Sequence, residues 1–519
     1  MLTNLYIWVL LAGAGLAAAI ALGAIYAFGR AGQRHQDEPS FALPLEPGKT
    51  ALDRAIAPLA AVHPGESGLL LLTSNLAAFH ARIDTARAAG RSLDLQYYFW
   101  KNDLTGRLLI REVIAAAQRG VRVRLLLDDI NSFGFDPSLL ALDGHPNIAV
   151  RLFNPSRSRS NAFRRGIEIA ARYFTATRRM HNKCWIADGR VLIAGGRNIG
   201  DEYFDASREA NFRDADLLAV GDCVAPAEAT FDLYWNSAAA LPIRTLHKLR
   251  RIRRPRLSRL MRRLDSNQAS EAAQQFLSAL PKTPALNSLQ RLRWSGGVTV
   301  IADPPEKAAG EARNQWMGEE INALLAATRK SLLISSPYFI PGEAGTQTLA
   351  SLSATGRTIR VLTNSLAATD VLAVHGAYAR YRKTLVAAGV ALHELKPEPK
   401  RRRASLFGSR TASLHTKAFL IDDEQGFVGS FNLDPRSHSI NTEMGLLFRC
   451  PHIVAQLRKV FEAEMHPEVS YRLILRRGKL LWHETLNGKD VEHSSEPNAP
   501  LRRLLPAQLI AWLPIESQL

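Results

Sequence analysis

The feature that most constrains this chain of 519 residues is that it contains itself twice. Residues 92–100 match 331–340, with Tyr98 and Phe99 answering Tyr338 and Phe339 at an offset of 240. Residues 120–127 match 356–363 at an offset of 236, and His181-Asn-Lys183 matches His415-Thr-Lys417 at an offset of 234. The first two matches are apolar runs of buried-strand type, each preceding or following a stretch of helical character. Three elements in the same order at a nearly constant offset indicate a duplicated α/β domain. Hydrophobic residues make up 46% and charged residues 22% of the chain, a globular balance that excludes collagen-like and low-complexity readings.

Both copies end in the same constellation. The first reads His181-Asn-Lys183, then Asp188, then Gly195-Gly196-Arg-Asn198; the second reads His415-Thr-Lys417, then Asp422, then Gly429-Ser430-Phe-Asn432. Strand residues two apart share a face, so the His and Lys of each copy point together into one cleft. Asp188 and Asp422 lie on the opposite parity beside turn residues such as Gly189, where a structural role suits them better than chemistry. A hairpin through Asp188-Gly189 returns the chain so that Asn198 runs beside the His-Lys strand.

Paired His, Lys and Asn side chains suit a phosphodiester. The lysines neutralise non-bridging oxygens, the asparagines donate hydrogen bonds to them, and two histidines divide nucleophile and acid roles. No carboxylate or His/Cys cluster at metal-ligand spacing accompanies them, so the expectation is no metal and no cofactor. The cysteines Cys184, Cys223 and Cys450 are scattered, with no C-x-x-C pair, which argues against a disulfide framework. Cys184 faces away from the cleft and is expected as a packed thiol.

The duplicated H-x-K-x4-D and G-[GS]-x-N pattern resembles the phospholipase D superfamily. The longer strings at 195–204 and 429–443 look like its bacterial cardiolipin synthases, most nearly the type C branch. The resemblance runs from about residue 67 to the C-terminus. It implies an α/β chain of two tandem phospholipase D-like α/β/α sandwich halves with pseudo-twofold symmetry, one shared active site, and a covalent phosphohistidine formed without metal. Carried over by position, His181 is the nucleophile and His415 the acid. Lys183 and Lys417 complete the catalytic motifs with Asp188 and Asp422, and Asn198 and Asn432 bind substrate. In the family an acidic residue downstream of each motif orients its histidine. Glu443 fits that place in the second half, and Asp214 or Asp216 in the first.

A membrane partner follows from the chain's other end. Residues 5–28 carry no charge and as a helix would rise about 36 Å, enough for a hydrocarbon core of about 30 Å. A cleaved signal peptide is the rival reading, disfavoured by the length of the run and the absence of a preceding basic residue. Arg30 and Arg34 follow the run, which places the bulk of the chain on the cytoplasmic side of a bacterial inner membrane. Residues 244–263 hold ten Lys/Arg and no acid, with Leu246, Leu249, Leu257 and Leu260 interspersed; a solvated linker and a pair of membrane-surface helices fit equally. Further basic residues lead into each motif: Arg164, Arg165, Arg172, Arg178 and Arg179 before His181, and Lys400 to Arg403 with Arg410 before His415. With a net charge of +18, they point to anionic phospholipids as partners and not to nucleic acid, given the anchor. The expected organisation is an anchor (1–34), a linker (35–66), a first half (67–240), a basic segment (241–290) and a second half with a C-terminal extension (291–519). The competing functions are a hydrolytic phospholipase D, a nucleic-acid phosphodiesterase and a non-catalytic basic tether.

Overall fold

Short apolar strands alternating with amphipathic helices build the two halves around one sheet each. The protein's structure, a computed structural model, describes residues 38–130, 134–156, 177–246, 257–283, 285–397, 411–510 and 516–519, together with 12–13, 15–20, 23, 132 and 159. Most of the apolar run at 5–28 and the residues joining it to position 38 lie outside these. Among the described residues no helix is long and apolar enough to cross a membrane.

The first half contributes β1 (Ser67–Leu72), β2 (Ser92–Tyr97), β3 (Arg122–Asp128), β4 (Ile148–Phe153), β5 (Cys184–Ala187), β6 (Val191–Gly195), β7 (Ala210–Arg213), β8 (Asp216–Gly221) and β9 (Ala240–Pro242). The strands β10 (Arg293–Ser295), β11 (Val298–Ala302), β12 (Ser331–Ser335), β13 (Thr358–Asn364) and β14 (Ala391–Leu395) follow. The chain continues through β15 (Thr411–Leu414), β16 (Ala418–Ile421), β17 (Gln425–Gly429), β18 (Met444–Phe448), β19 (Ser470–Arg476), β20 (Lys479–Leu486) and β21 (Lys489–His493). One sheet has the order β10-β1-β8-β6-β5-β2-β3-β4-β9, the other β11-β18-β17-β16-β12-β13-β14-β19-β20-β21. Eight successive positions correspond, from β1 and β11 to β9 and β19, which is the duplication seen as topology. Strand β10, expected in the second half, pairs with β1 at the edge of the first sheet.

Alternation along each strand divides its side chains between two cores. In β5, Trp185 and Ala187 face the helices Asn75–Ala88 and Leu104–Gln118. Cys184 and Ile186 face a core shared by both halves, which the helices Val224–Trp235 and Pro451–Glu464 fill. Cys184 is a buried free thiol whose pKa burial pushes well up, as its parity predicted.

Register corrects one detail of the repeat. Strand pairing aligns Cys184 with Gln96 and Ala418 with Ser335, so the offset here is 239. Trp100 and Phe339 then occupy equivalent bridges, to Ile199 and Leu433, so the backbone equivalent of Tyr338 is Phe99 and not Tyr98. The basic segment is also more ordered at its end than a solvated linker. The helix Leu257–Gln268 buries Leu264 and packs the partly buried Leu257 and Leu260 on the first half's outer core.

Candidate active site

Each histidine is held by a strand crossing between the halves. Met180 forms a parallel bridge to Thr442, with His181 N donating to Thr442 O at 2.9 Å. Reciprocally, β15 pairs parallel with β7, and His415 N donates to Arg213 O at 2.8 Å. The residue after Thr442 is Glu443 and the residue after Arg213 is Asp214, so each imidazole meets the acid of the other half. His181 Nδ1 lies 2.8 Å from Glu443 Oε2 and 3.0 Å from Oε1. His415 Nδ1 lies 2.6 Å from Asp214 Oδ2. The expected pairing within each half is therefore exchanged, because parallel pairing across the interface, not proximity in sequence, selects the partner.

The same register resolves the choice between Asp214 and Asp216. Gly196 N donates to Ala215 O and Ser430 N to Met444 O, which makes Asp214 the counterpart of Glu443. Asp216 instead binds Arg82 Nη2 at 2.9 Å within the first half. The shorter acid sits against Gly196, where any Cβ would collide with its carboxylate. Opposite, Ser430 Oγ donates to Glu443 Oε2 at 2.5 Å and Ser437 Oγ to Oε1 at 3.0 Å. The hydroxyl contact at this position is one-sided, since Gly196 stands where the second half has Ser430.

Lys183 Nζ donates to His181 O at 2.5 Å and Lys417 Nζ to His415 O at 2.6 Å, so each ammonium is folded back beside its own histidine. Aromatic rings line the same walls: Tyr98 lies edge-on to His181 with centroids 5.1 Å apart, and Phe212 stacks on His415 at 4.9 Å. Lys183 stands 5.6 Å from the Tyr98 ring centroid and Lys417 6.0 Å from that of Tyr338. Asn198 Nδ2 donates to the Tyr203 hydroxyl at 3.1 Å, and Asn432 Oδ1 is buried with no hydrogen-bond partner among the described residues. The sites named from sequence are thus brought together, except for two.

Those two are Asp188 and Asp422. Each sits past the far end of its strand, at positive φ, where it accepts backbone N–H groups at the start of the neighbouring strand. Asp188 takes those of Gly90, Arg91 and Ser92, and Asp422 those of Arg329, Lys330 and Ser331. A carboxylate saturated by three amides at the end of the sheet away from the histidines pins a turn; neither residue touches the cleft.

Burial dominates the electrostatics. It drives the pKa of His181 well below its usual value, reinforced by Lys183 and Lys417. His415 is also lowered, by burial and Lys417, but Asp214 opposes the shift. Burial brings Lys183 to about 7 and Lys417 to about 8, and lifts Glu443 to about 7 against the pull of Lys183. Asp214, raised by burial, is brought below the normal carboxylate range by His415. A carboxylate beside each Nδ1, in its anionic form, favours the tautomer with the proton on Nδ1 and Nε2 free for the cleft, although Lys417 Nζ also lies 3.1 Å from His415 Nδ1.

Sequence reasoning missed a buried pair behind Glu443. Asp303 Oδ2 accepts from Glu443 N and from Lys307 Nζ, both at 2.9 Å, and Lys307 also donates to Ser437 O. No repeat or motif marks these residues, since they lie in an irregular stretch without a counterpart. Of the basic residues leading into the motifs, Arg178 is engaged with Lys307 O and Ser439 O, and Arg179 with Asp128. The remainder (Arg164, Arg165, Arg172, Lys400 to Arg403 and Arg410) lies outside the described residues. Among the described residues, no three His, Cys, Asp or Glu side chains are grouped to hold a metal ion.

The chain is similar to known proteins over most of its length. The family described as "Cardiolipin synthase, PLD-like domain" matches residues 81–235 and again 321–465. Cardiolipin synthase C of Escherichia coli is 37% identical over 475 residues, covering 90% of this chain and 99% of that protein. A cardiolipin synthase of Oceanobacillus iheyensis is 23% identical over 406 residues, 78% of this chain and 70% of that one. The crystal structure of phosphatidylserine synthase from Haemophilus influenzae shares the fold at 15% identity and a TM-score of 0.53, over 81% of this chain and 92% of the other.

Proposed function

Because the chain belongs to the family of cardiolipin synthase phospholipase D-like domains, we propose that it is a phosphatidyltransferase that makes cardiolipin from phosphatidylglycerol and a second phospholipid. The observation that carries the reading is the pair of buried imidazoles, each with Nδ1 on a carboxylate from the opposite half. His181, in the motif position that supplies the nucleophile in the family, is the nucleophile; burial and both lysines favour its neutral form, whereas Asp214 favours the charged form of His415. Its Nε2 attacks phosphorus, the P–O bond to the headgroup breaks, and the proton on His415 Nε2 goes to the departing alkoxide. His415 then takes the proton of the incoming lipid hydroxyl, which attacks the phosphohistidine and frees His181. Lys183, Lys417, Asn198 and Asn432 hold the non-bridging oxygens, and Asp214 and Glu443 orient the imidazoles. The two halves are read as α/β/α sandwiches about a pseudo-twofold axis, preceded by one membrane-spanning helix over 5–28. The site faces the cytoplasmic side of a bacterial inner membrane.

The direct test is chemical. Purified full-length protein given radiolabelled phosphatidylglycerol in mixed micelles is expected to form cardiolipin at an undiminished rate in excess chelator, because the lysines neutralise the phosphoryl charge and the asparagines donate hydrogen bonds to it. Product limited to phosphatidic acid would favour the hydrolase, and activity restored only by added metal would remove the mechanism.

The pH profile is expected to be bell-shaped, with limbs set by groups around the histidines. Below about 7 Glu443 takes a proton and ceases to hold His181 Nδ1–H, so the rate falls on the acid side. Above about 7 Lys183, and above about 8 Lys417, lose their charge and the grip on phosphate weakens. The alkaline limb of kcat/KM should therefore fall between about 7 and 8 and that of kcat higher, since a bound phosphodiester anion stabilises both ammonium groups. A limb that is absent from Lys417→Arg but present in the parent would identify the lysine; a profile flat from 6 to 9 would refute both assignments.

A further inference from the structure

The two sides of the cleft, related by the repeat, treat their carboxylates differently. On the His181 side, Asp128 ends β3 and Asp129 follows it. Asp128 accepts Ile130 N and Met180 N, at 2.9 and 2.8 Å. Asp129 accepts Ser156 N at 2.9 Å and is paired with Arg159, which also holds Asp136. Every one of these acids is committed to the fold. In the second half the register places Asn364 and Ser365 at the positions of Asp128 and Asp129. Asn364 does the anchoring work of Asp128, accepting Leu414 N at 2.9 Å just before His415.

The acid on this side comes later in the loop, at Asp370, and it is exposed. Tyr338 OH donates to Asp370 Oδ2 at 2.8 Å, and Tyr338 is the ring that stands beside Lys417. The loop is held on both flanks: Thr369 N donates to Ser365 O at 2.9 Å, and Arg503 of the C-terminal helix donates to Thr369 O. Asp370 Oδ1 has no hydrogen bond among the described residues, and the carboxylate influences both His415 and Lys417 electrostatically. An oriented, solvent-facing acceptor therefore stands beside Tyr338 on the side of the histidine that handles the alcohol, and among the described residues the His181 side has no equivalent.

We infer that Asp370 is a specificity residue, accepting a hydrogen bond from a second donor group on the alcohol that leaves or enters beside His415. The chemistry recognised is a headgroup with a hydroxyl or ammonium next to the reacting oxygen, such as glycerol or ethanolamine. The inference rests on the phosphatidyl-transfer reading and adds to it the class of alcohol that the site selects. A carboxylate hydrogen bond to such a donor strengthens binding in either direction of the step, so one residue sets the preference for leaving and incoming headgroups alike.

The test uses full-length protein in neutral mixed micelles containing phosphatidylglycerol, phosphatidylethanolamine and phosphatidylpropanol in equal amounts, the last having no second donor. Consumption of each lipid is followed by mass spectrometry, so transfer and hydrolysis both register. The parent is expected to prefer at least one of the first two over phosphatidylpropanol by about tenfold or more, as a charge-assisted hydrogen bond allows. Asp370→Asn and Asp370→Ala should erase that preference, with phosphatidylpropanol consumption within about twofold of the parent. Loss confined to phosphatidylglycerol assigns the hydroxyl, and loss confined to phosphatidylethanolamine assigns the ammonium. Parallel loss on all three lipids, or an unchanged ratio, overturns the inference while leaving the proposed function standing. A parent that consumes none of them removes both.

Discussion

Intact-mass analysis of the His415→Asn protein, after exposure to a p-nitrophenyl phosphodiester lipid analogue, is expected to find a phosphatidyl adduct, and that of His181→Asn none. The reasoning starts from the difference between the two imidazoles. His181 is lowered by burial and two nearby lysines and stays neutral, with a lone pair on Nε2. His415 is lowered too, but Asp214 at 2.6 Å favours its charged form, which suits a proton donor. p-Nitrophenolate needs little protonation to leave, so a protein lacking only the acid still forms the N–P bond. It then stalls, because the same residue must deprotonate the incoming hydroxyl. Turnover of natural lipid should fall in both variants, by roughly four orders of magnitude or more for His181→Asn. The reversed labelling pattern would exchange the two roles. An adduct on neither protein, while the parent turns the analogue over, would favour direct in-line displacement.

The two roles share a wiring that one-dimensional inspection could not reveal. Strand periodicity and local motifs are written within a few residues of one another, which is why the duplication, the α/β class and the cluster of His181, Lys183, Asn198, His415, Lys417 and Asn432 were legible. The identity of each histidine's acid depends instead on parallel pairing between segments 201 and 262 residues apart. Nothing near His181 announces Thr442. Motif membership alone overstated Asp188 and Asp422, because the strand and its hairpin have a regular length and regular spacing does not distinguish a turn anchor from a catalytic acid; their opposite parity and neighbouring turn residues already pointed to the structural role that the backbone hydrogen bonds show. Asp303 and Lys307 escaped for the opposite reason, having neither repeat nor period. On sequence a solvated linker and a pair of membrane-surface helices fitted residues 244–263 equally, and neither reading foresaw that Leu257 and Leu260 pack over the helix Leu104–Gln118.

The crossed wiring makes its own prediction, through the leaving group. Glu443→Gln removes the charge that holds His181 Nδ1–H, and Asp214→Asn removes the corresponding charge from His415. With phosphatidylglycerol, whose glycerol alkoxide leaves poorly, both variants should lose about 10²- to 10⁴-fold in rate, the range typical of general acid–base assistance. With the p-nitrophenyl analogue they should separate. Formation of the covalent intermediate needs the nucleophile and hardly the acid, so the p-nitrophenolate burst of Asp214→Asn should return to within about tenfold of the parent. Glu443→Gln should remain about a hundredfold or more slower, because its defect lies in the attacking group. Amides of nearly the same shape keep the volume of the site, and the bridges from His181 N to Thr442 O and from His415 N to Arg213 O use backbone atoms that neither substitution changes. Denaturant unfolding of both variants will show whether the fold survives, Glu443 being the more exposed to risk because two serines and the imidazole all converge on its carboxylate. If each acid served the histidine of its own half, the rescued variant would be Glu443→Gln and the unrescued one Asp214→Asn, so a single pair of burst measurements decides between the two arrangements.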